Sequence, residues 1–107
     1  SKNLPILGIC RGMQLLGLIG GGKLKLFDSH VNTRHTIYGS YTKIVNSYHK
    51  FGFKELPSAF QIMAASEDGC IEEFQNKKNK WLGWMWHPER EKDFQKVDLD
   101  KLNEFFK

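Results

Sequence analysis

The feature that most constrains this chain is a corner near its start. The apolar run Pro5 to Ile9 ends in Gly8-Ile9-Cys10-Arg11-Gly12, after which Met13, Leu15, Leu16 and Ile19 recur at helical spacing until Gly20-Gly21-Gly22 stops them. The pattern is strand, tight turn, helix. A strand that is apolar on both faces belongs inside a parallel sheet with helices on both sides. The chain is therefore expected to be α/β.

Beyond that corner the periodicity changes. Leu24 to Tyr38 is polar and aperiodic, and reads as a long loop with one short strand at its beginning. Tyr41 to Ser47 alternates as an exposed strand, Asn46-Ser47-Tyr48-His49 follows as a polar loop, and Phe51 to Leu56 reads as a short helix closed by Pro57. Phe60 to Ser66 is β-rich. Glu67-Asp68-Gly69 turns into Ile71 to Gln75, and the tip Lys77-Lys78-Asn79-Lys80 joins that segment to Trp81–Trp86 as a hairpin. In the tail, Val97, Leu99, Leu102, Phe105 and Phe106 fall on one face of a closing helix. No repeat or Pro/Gly/Ser-rich linker divides residues 1–107, so no domain boundary is placed.

Composition narrows the function classes. With 40% hydrophobic and 26% charged residues, this is the composition of a folded globular domain. At 107 residues it buries only about 65% of its unfolded surface, so its stability margin is thin. The net charge of +4 is dispersed, and Glu89, Glu91, Asp93, Asp98 and Asp100 interrupt any basic stripe. Nucleic acid is not an expected partner, whereas small anionic substrates are weakly favoured. No apolar run reaches the roughly 18 residues of a membrane span, and Ser1-Lys2-Asn3-Leu4-Pro5 lacks a signal-peptide core. The expectation is a cytoplasmic protein with no membrane partner. Cys10 and Cys70 are too few for a disulfide scaffold.

Two short patterns carry chemistry. Cys10 stands at the strand-to-helix corner, where the side chain is forced outward and glycines relieve crowding. A helix N-terminus favours the thiolate, and backbone N–H groups there, that of Arg11 first, can hold a developing oxyanion. A buried, inert cysteine fits this pentapeptide equally well. The second pattern is His87-Pro88-Glu89, directly after a strand. Residues two apart in extended chain share a side, so Glu89 can orient the His87 imidazole as base and acid for a nucleophile. Alone, this pair fits an unrelated surface glutamate as well.

Together the two patterns are more specific. Pro5-Ile6-Leu7-Gly8-Ile9-Cys10-Arg11-Gly12-Met13-Gln14 and Trp84-Met85-Trp86-His87-Pro88-Glu89-Arg90 resemble the nucleophile and His-Glu motifs of class I glutamine amidotransferases. Val45-Asn46-Ser47-Tyr48-His49 and Ala65-Ser66-Glu67-Asp68-Gly69-Cys70-Ile71-Glu72 are similar to the γ-glutamyl-γ-aminobutyrate hydrolase branch, a peptidase family. The resemblance covers nearly the whole chain. It implies a flavodoxin-like, mostly parallel sheet flanked by helices, with an added antiparallel hairpin and an active site at the carboxyl ends of the strands.

The same resemblance implies Cys10 as nucleophile, His87 as general base and acid, and Glu89 as its orienter. Gln14 matches the position that helps hold the glutamyl moiety, and Tyr48, His49 and Lys50 match the segment that contacts its α-amino and α-carboxylate end. Lys50 and Phe51 stand where many members carry His-Gln, which implies a different acceptor-side pocket. The implied reaction is cleavage of a small-molecule γ-glutamyl amide through a γ-glutamyl thioester, with no metal or organic cofactor. Two alternatives use the same triad: a glutaminase that delivers ammonia to a synthetase partner, and a hydrolase of a γ-glutamyl adduct such as a nucleotide phosphoramidate. A catalytically dead binding module is the third. The family begins with β/α units that precede the nucleophile strand and supply a second oxyanion donor, so this chain is expected to be the C-terminal part of a larger domain.

Other residues are assigned to packing or solvent. Asp28, His30 and His35 lack regular ligand spacing, and are expected to line the substrate-side loop or face solvent rather than to hold zinc. Cys70 is read as a packing residue. Trp81, Trp84 and Trp86 are read as strand packing, with Trp86 placed where it could also wall the active site.

Overall fold

The computed structural model describes residues 4–28, 30–91 and 95–107. The opening Ser1-Lys2-Asn3 and Asp93 of the acidic group lie outside the described residues. Ile6–Ile9 form strand β1, and the chain turns at Cys10 into helix α1, Arg11–Ile19. Strands β2 (Lys25–Leu26), β3 (Val31–Gly39), β4 (Lys43–Tyr48), β5 (Phe51–Gly52), β6 (Gln61–Ser66), β7 (Ile71–Asn76) and β8 (Trp81–Trp84) follow. A single 3₁₀ turn, Pro88–Arg90, and helix α2, Lys96–Phe105, complete the order.

Among the described residues six strands make one sheet in the order β1-β8-β7-β6-β3-β4, while β2 and β5 pair separately. β1 and β8 run parallel, with Ile6 opposite Trp81 and Ile9 opposite Trp84. The other pairings in this sheet are antiparallel. The architecture is α/β, as the first corner implied. Among the described residues its parallel character is carried by β1 and β8, and the antiparallel part extends well beyond the expected β7–β8 hairpin.

Alternation along β8 separates two apolar layers. Leu82 and Trp84 join Ile37, Val45, Ala64 and Trp86 in a cluster covered by Leu102 and Phe105 of α2. Trp81 borders the other cluster, in which Met13 and Leu16 of α1 meet Phe53, Phe60, Phe74 and Met85. The helices thus cover opposite faces. Gly83 lies between them on β8, and a Cβ there would meet the Met13 and Phe74 side chains at 2.7 Å. Its lack of a side chain lets α1 sit directly on the sheet.

Four segments differ from their expected form. Most of the polar stretch before Tyr38 is not a loop but the long strand β3, which pairs with both β4 and β6. Most of its side chains are not buried, so the apolar alternation that signals a strand is missing. Asn46-Ser47-Tyr48 belongs to β4 rather than to a loop, and the expected helix at 51–56 is replaced by β5 and an irregular approach to Pro57. In α2 the residue turned fully inward is Asp98, while Val97, Leu99 and Phe106 remain largely exposed. Asp98 accepts from Lys43 Nζ and, at 3.1 Å, from Trp86 Nε1. One turn later, Lys101 Nζ donates to the buried Glu73 at 2.7 Å, so polar anchors fix the helix that apolar spacing was expected to seat. No helix among the described residues is long and apolar enough to cross a membrane.

Candidate active site

The parallel pairing of β1 with β8 brings two chemically interesting ends side by side. The Cys10 N–H continues the ladder to Trp84 O at 2.7 Å, so the residue after β1 and the residues after β8 leave the sheet at the same edge. Cys10 then adopts φ 52° and ψ −101°, a left-sided conformation unfavourable for a residue with a Cβ. A Cβ at Gly8 would come within 2.6 Å of the Gly12 backbone. The strand can enter the helix this abruptly only because position 8 is glycine.

The Cys10 thiol is mostly buried, which pushes its pKa up. The Arg11 N–H, the Arg11 guanidinium and the Arg90 guanidinium pull the other way without overcoming burial. It is a thiol that a base must deprotonate, held where a helix N-terminus and two cations favour its anion.

At the end of β8, His87 Nδ1 donates to Glu89 Oε2 at 2.7 Å. Burial opposes the Glu89 charge, but its own backbone N–H and His87 outweigh it, and the carboxyl is held below the usual range. The main chain of His87 is clamped by a residue that sequence reasoning left in a loop. Asn46 Oδ1 accepts from His87 N at 2.8 Å, and Asn46 Nδ2 donates to His87 O at 2.8 Å. The same Nδ2 reaches Glu91 Oε2, and Glu91 is held by both Arg34 guanidinium nitrogens at 2.9 Å. These bonds bring the Glu91 carboxyl down to about 2. Asn46 could have been suspected from its place beside Ser47 in the quoted motif, but not its partner, which is 41 residues away.

Cys10, Arg11, Gln14, Tyr48, His49 and Lys50 border one hollow of about 550 Å³. These sequence-derived site residues therefore converge, although α1 and the loop after β4 are distant in sequence. Gln14 Nε2 donates to Phe51 O at 2.8 Å, which ties α1 to that loop. His87 and Glu89 are not part of the hollow's lining. The link is Tyr48, whose ring meets His87 edge-on at 5.9 Å and carries the Arg90 guanidinium 4.3 Å from its centre. His49 borders the hollow but turns its ring nitrogens inward, Nδ1 to Phe51 O at 3.0 Å and Nε2 toward Glu72 at 3.8 Å. Trp86 stacks on Trp84 at 5.0 Å in the layer beneath α2, so it packs the core there.

Behind the hollow lies a buried polar cluster that sequence reasoning did not assemble. Glu72 is fully enclosed, with Oε2 at 3.2 Å from His30 Nδ1 and 3.1 Å from His35 Nε2. Burial works against its charge, but the surrounding imidazoles win and hold it ionised below the usual carboxylate range. His30 does not face solvent; it is buried, with Nε2 on Asp68 Oδ2 at 2.7 Å. Its burial disfavours the imidazolium, yet Glu72 and Asp68 raise its pKa on balance. His35 is partly exposed and borders a second hollow with Asp68. His30 and His35 lie five positions apart, and a bulge between Val31 and Thr33, with Asn32 at φ 53°, brings both to one side. Cys70 is buried as expected, and burial and then the Glu72 and Asp68 charges push its thiol well up.

Comparisons with known proteins agree with this layout. The family model for Glutamine amidotransferase class-I matches residues 1–105. A gamma-glutamyl-CDP-amidate hydrolase from Campylobacter jejuni is 29% identical over 106 residues, covering 99% of this chain and 52% of the relative. A glutamine-hydrolyzing GMP synthase chain of Methanococcus vannielii is 31% identical over 99 residues, covering 83% of this chain and 52% of its own length. The chain thus spans about half the length of these relatives. A crystal structure from Thermoplasma acidophilum, provisionally described as a GMP synthase component, superposes with a TM-score of 0.83 at 23% identity, over 98% of this chain and 57% of that one. At that identity the likeness is one of fold. With the family model matching almost end to end, the chain belongs to the class I glutamine amidotransferases.

Proposed function

We propose that this chain carries the nucleophile and acid–base half of an enzyme that hydrolyses γ-glutamyl amides. The observation that carries the reading is the pairing of β1 with β8, which sets the strained Cys10 corner beside a His87 already bonded to Glu89. Cys10 Sγ, deprotonated through His87 Nε2, attacks the γ-carbonyl, and the oxyanion meets the Arg11 N–H. His87 returns the proton to the departing amine, giving the γ-glutamyl thioester and free amine. Water, deprotonated by His87, then releases glutamate and restores the thiol. Glu89 holds the imidazole with Nδ1–H toward its carboxylate throughout.

Gln14, Tyr48 and Lys50 border the same hollow and are assigned to the glutamyl end of the substrate. His49, with its nitrogens turned inward, supports that loop from behind. The preceding β/α units of the domain, with a second oxyanion donor, are assigned to chain before residue 1. Relatives about twice as long support this. The protein is assigned to the cytoplasm.

Among leaving groups, a nucleotide phosphoramidate is favoured by the relative that acts on a γ-glutamyl-CDP-amidate and by Arg11 and Lys50 at the hollow. The second reading, a glutaminase serving a synthetase partner, is favoured by the GMP synthase relative. Glutamate release by the full-length protein from a panel of γ-glutamyl amides separates them. Turnover of non-glutamine substrates that disappears in Cys10→Ala supports the hydrolase, whereas turnover of glutamine alone, or only with a partner, supports the amidotransferase.

A further inference from the structure

We infer that His30, His49, Cys70 and Glu72 form a site for a divalent transition-metal ion of the zinc class, buried behind the proposed active site. One ligand atom from each of the four lies within 4.8 Å of all the others, and all four residues are buried. The donor set, two imidazoles, a thiol and a carboxylate, is the borderline-soft mixture such ions take in tetrahedral sites.

The stronger argument is how each ring is held. His30 Nε2 bonds Asp68 Oδ2 at 2.7 Å, and His49 Nδ1 bonds Phe51 O at 3.0 Å. At His49 the carbonyl takes the ring N–H and leaves Nε2 as a lone pair, while His30 Nδ1 also lies 3.2 Å from Ser47 Oγ, so an ion there would take the place of its proton. That arrangement is how metal-binding histidines are oriented from behind. His30 Nδ1 and His49 Nε2 both face the Glu72 carboxylate, at 3.2 and 3.8 Å. His49 Nε2 and Glu72 Oε1 also have no hydrogen-bond partner among the described residues, which is costly for enclosed polar atoms.

A dication balances the site where scattered protons do so only in part. Bound by a Cys70 thiolate and the Glu72 carboxylate, it leaves no net charge, and Cys70 releases its proton on loading. His35, 21% exposed, borders the second hollow together with His30 and Asp68. Because His49 opens the loop that borders the Cys10 hollow, the ion would fasten that loop to β7.

The test is cobalt substitution in the full-length protein, stripped with chelator and titrated with Co²⁺. The expected result is saturation at about one equivalent, with the intense d–d absorption of a tetrahedral site and a sulfur-to-cobalt charge-transfer band. That band should persist in Cys10→Ser and vanish in Cys70→Ser. Absence of d–d absorption, or a charge-transfer band lost in Cys10→Ser and kept in Cys70→Ser, overturns the inference. X-ray absorption on the zinc-loaded unmodified protein needs no variant to fold. One sulfur at about 2.3 Å with nitrogen and oxygen neighbours is expected, and a shell without sulfur overturns the inference. Neither readout depends on hydrolase activity.

Discussion

The edge where β1 and β8 end and the polar interior beneath α2 are built from similar residues in opposite ways. At the edge, Cys10, His87 and Glu89 are positioned chiefly through the main chain: a strained turn, a ladder bond to Trp84 O and the Asn46 clamp on the His87 backbone. The atoms assigned to the proposed chemistry are left with few side-chain partners. In the interior, Glu73 and Asp98 are enclosed charges held by Tyr41, Lys101, Lys43 and Trp86. Groups held by backbone can be removed at little cost to the fold, whereas removing one partner of a buried charge strands the other.

That contrast can be broken by experiment. The largest effect expected is at Cys10: as the proposed nucleophile, its replacement in Cys10→Ala should lower kcat for the proposed glutamate release at least about a thousandfold, with unfolding free energy changed by less than about 1 kcal/mol. A large stability loss measured by urea titration would show that the edge is structural after all. Asp98→Ala should do the reverse, costing about 3 kcal/mol in the same titration because Lys43 is left buried and the Trp86 N–H unpaired. Near-native stability in this variant would mean that apolar contacts seat α2.

Glu89→Gln is expected to fall between them, with kcat reduced by about ten- to a hundredfold and KM little changed, since in the proposed reaction Glu89 orients His87 rather than touching substrate. Equal losses in both parameters would point to a binding role. The smallest effect concerns Glu91. Its carboxyl is lower when folded, about 2, than the ordinary value of about 4.3 in the unfolded chain. It therefore contributes stability above about pH 4.3 that is lost as pH falls toward 2. Half-exposed Arg34 screens the pair, so Glu91→Gln should remove only about 1 kcal/mol near neutrality and flatten this acid limb of the unfolding curve.

Legibility followed the range of the interactions. The corner at Cys10, the helix after it, the β7–β8 hairpin and the Glu67-Asp68-Gly69 turn were readable because each is dictated within a few residues by apolar spacing and glycine. The His87–Glu89 bond was readable from a spacing of two. β3 was not, because neighbours on both sides define it rather than an apolar face of its own. Asn46 was missed because its amide works as a strand partner to His87, and α2 was turned wrongly because Asp98 replaces an apolar residue as its inward contact.

The sequence by itself determined that this is an α/β chain with a cysteine at a strand-to-helix corner and a histidine and glutamate two apart after a later strand, since those depend on local backbone geometry and side-chain period. Only the tertiary structure decided that β1 lies beside β8, that Tyr48 bridges the Cys10 hollow and His87, and that His30, His49, Cys70 and Glu72 meet behind them. Those are pairings between residues tens of positions apart. They are set by strand order and by the need of each buried polar group for a partner, which no local pattern in the chain encodes.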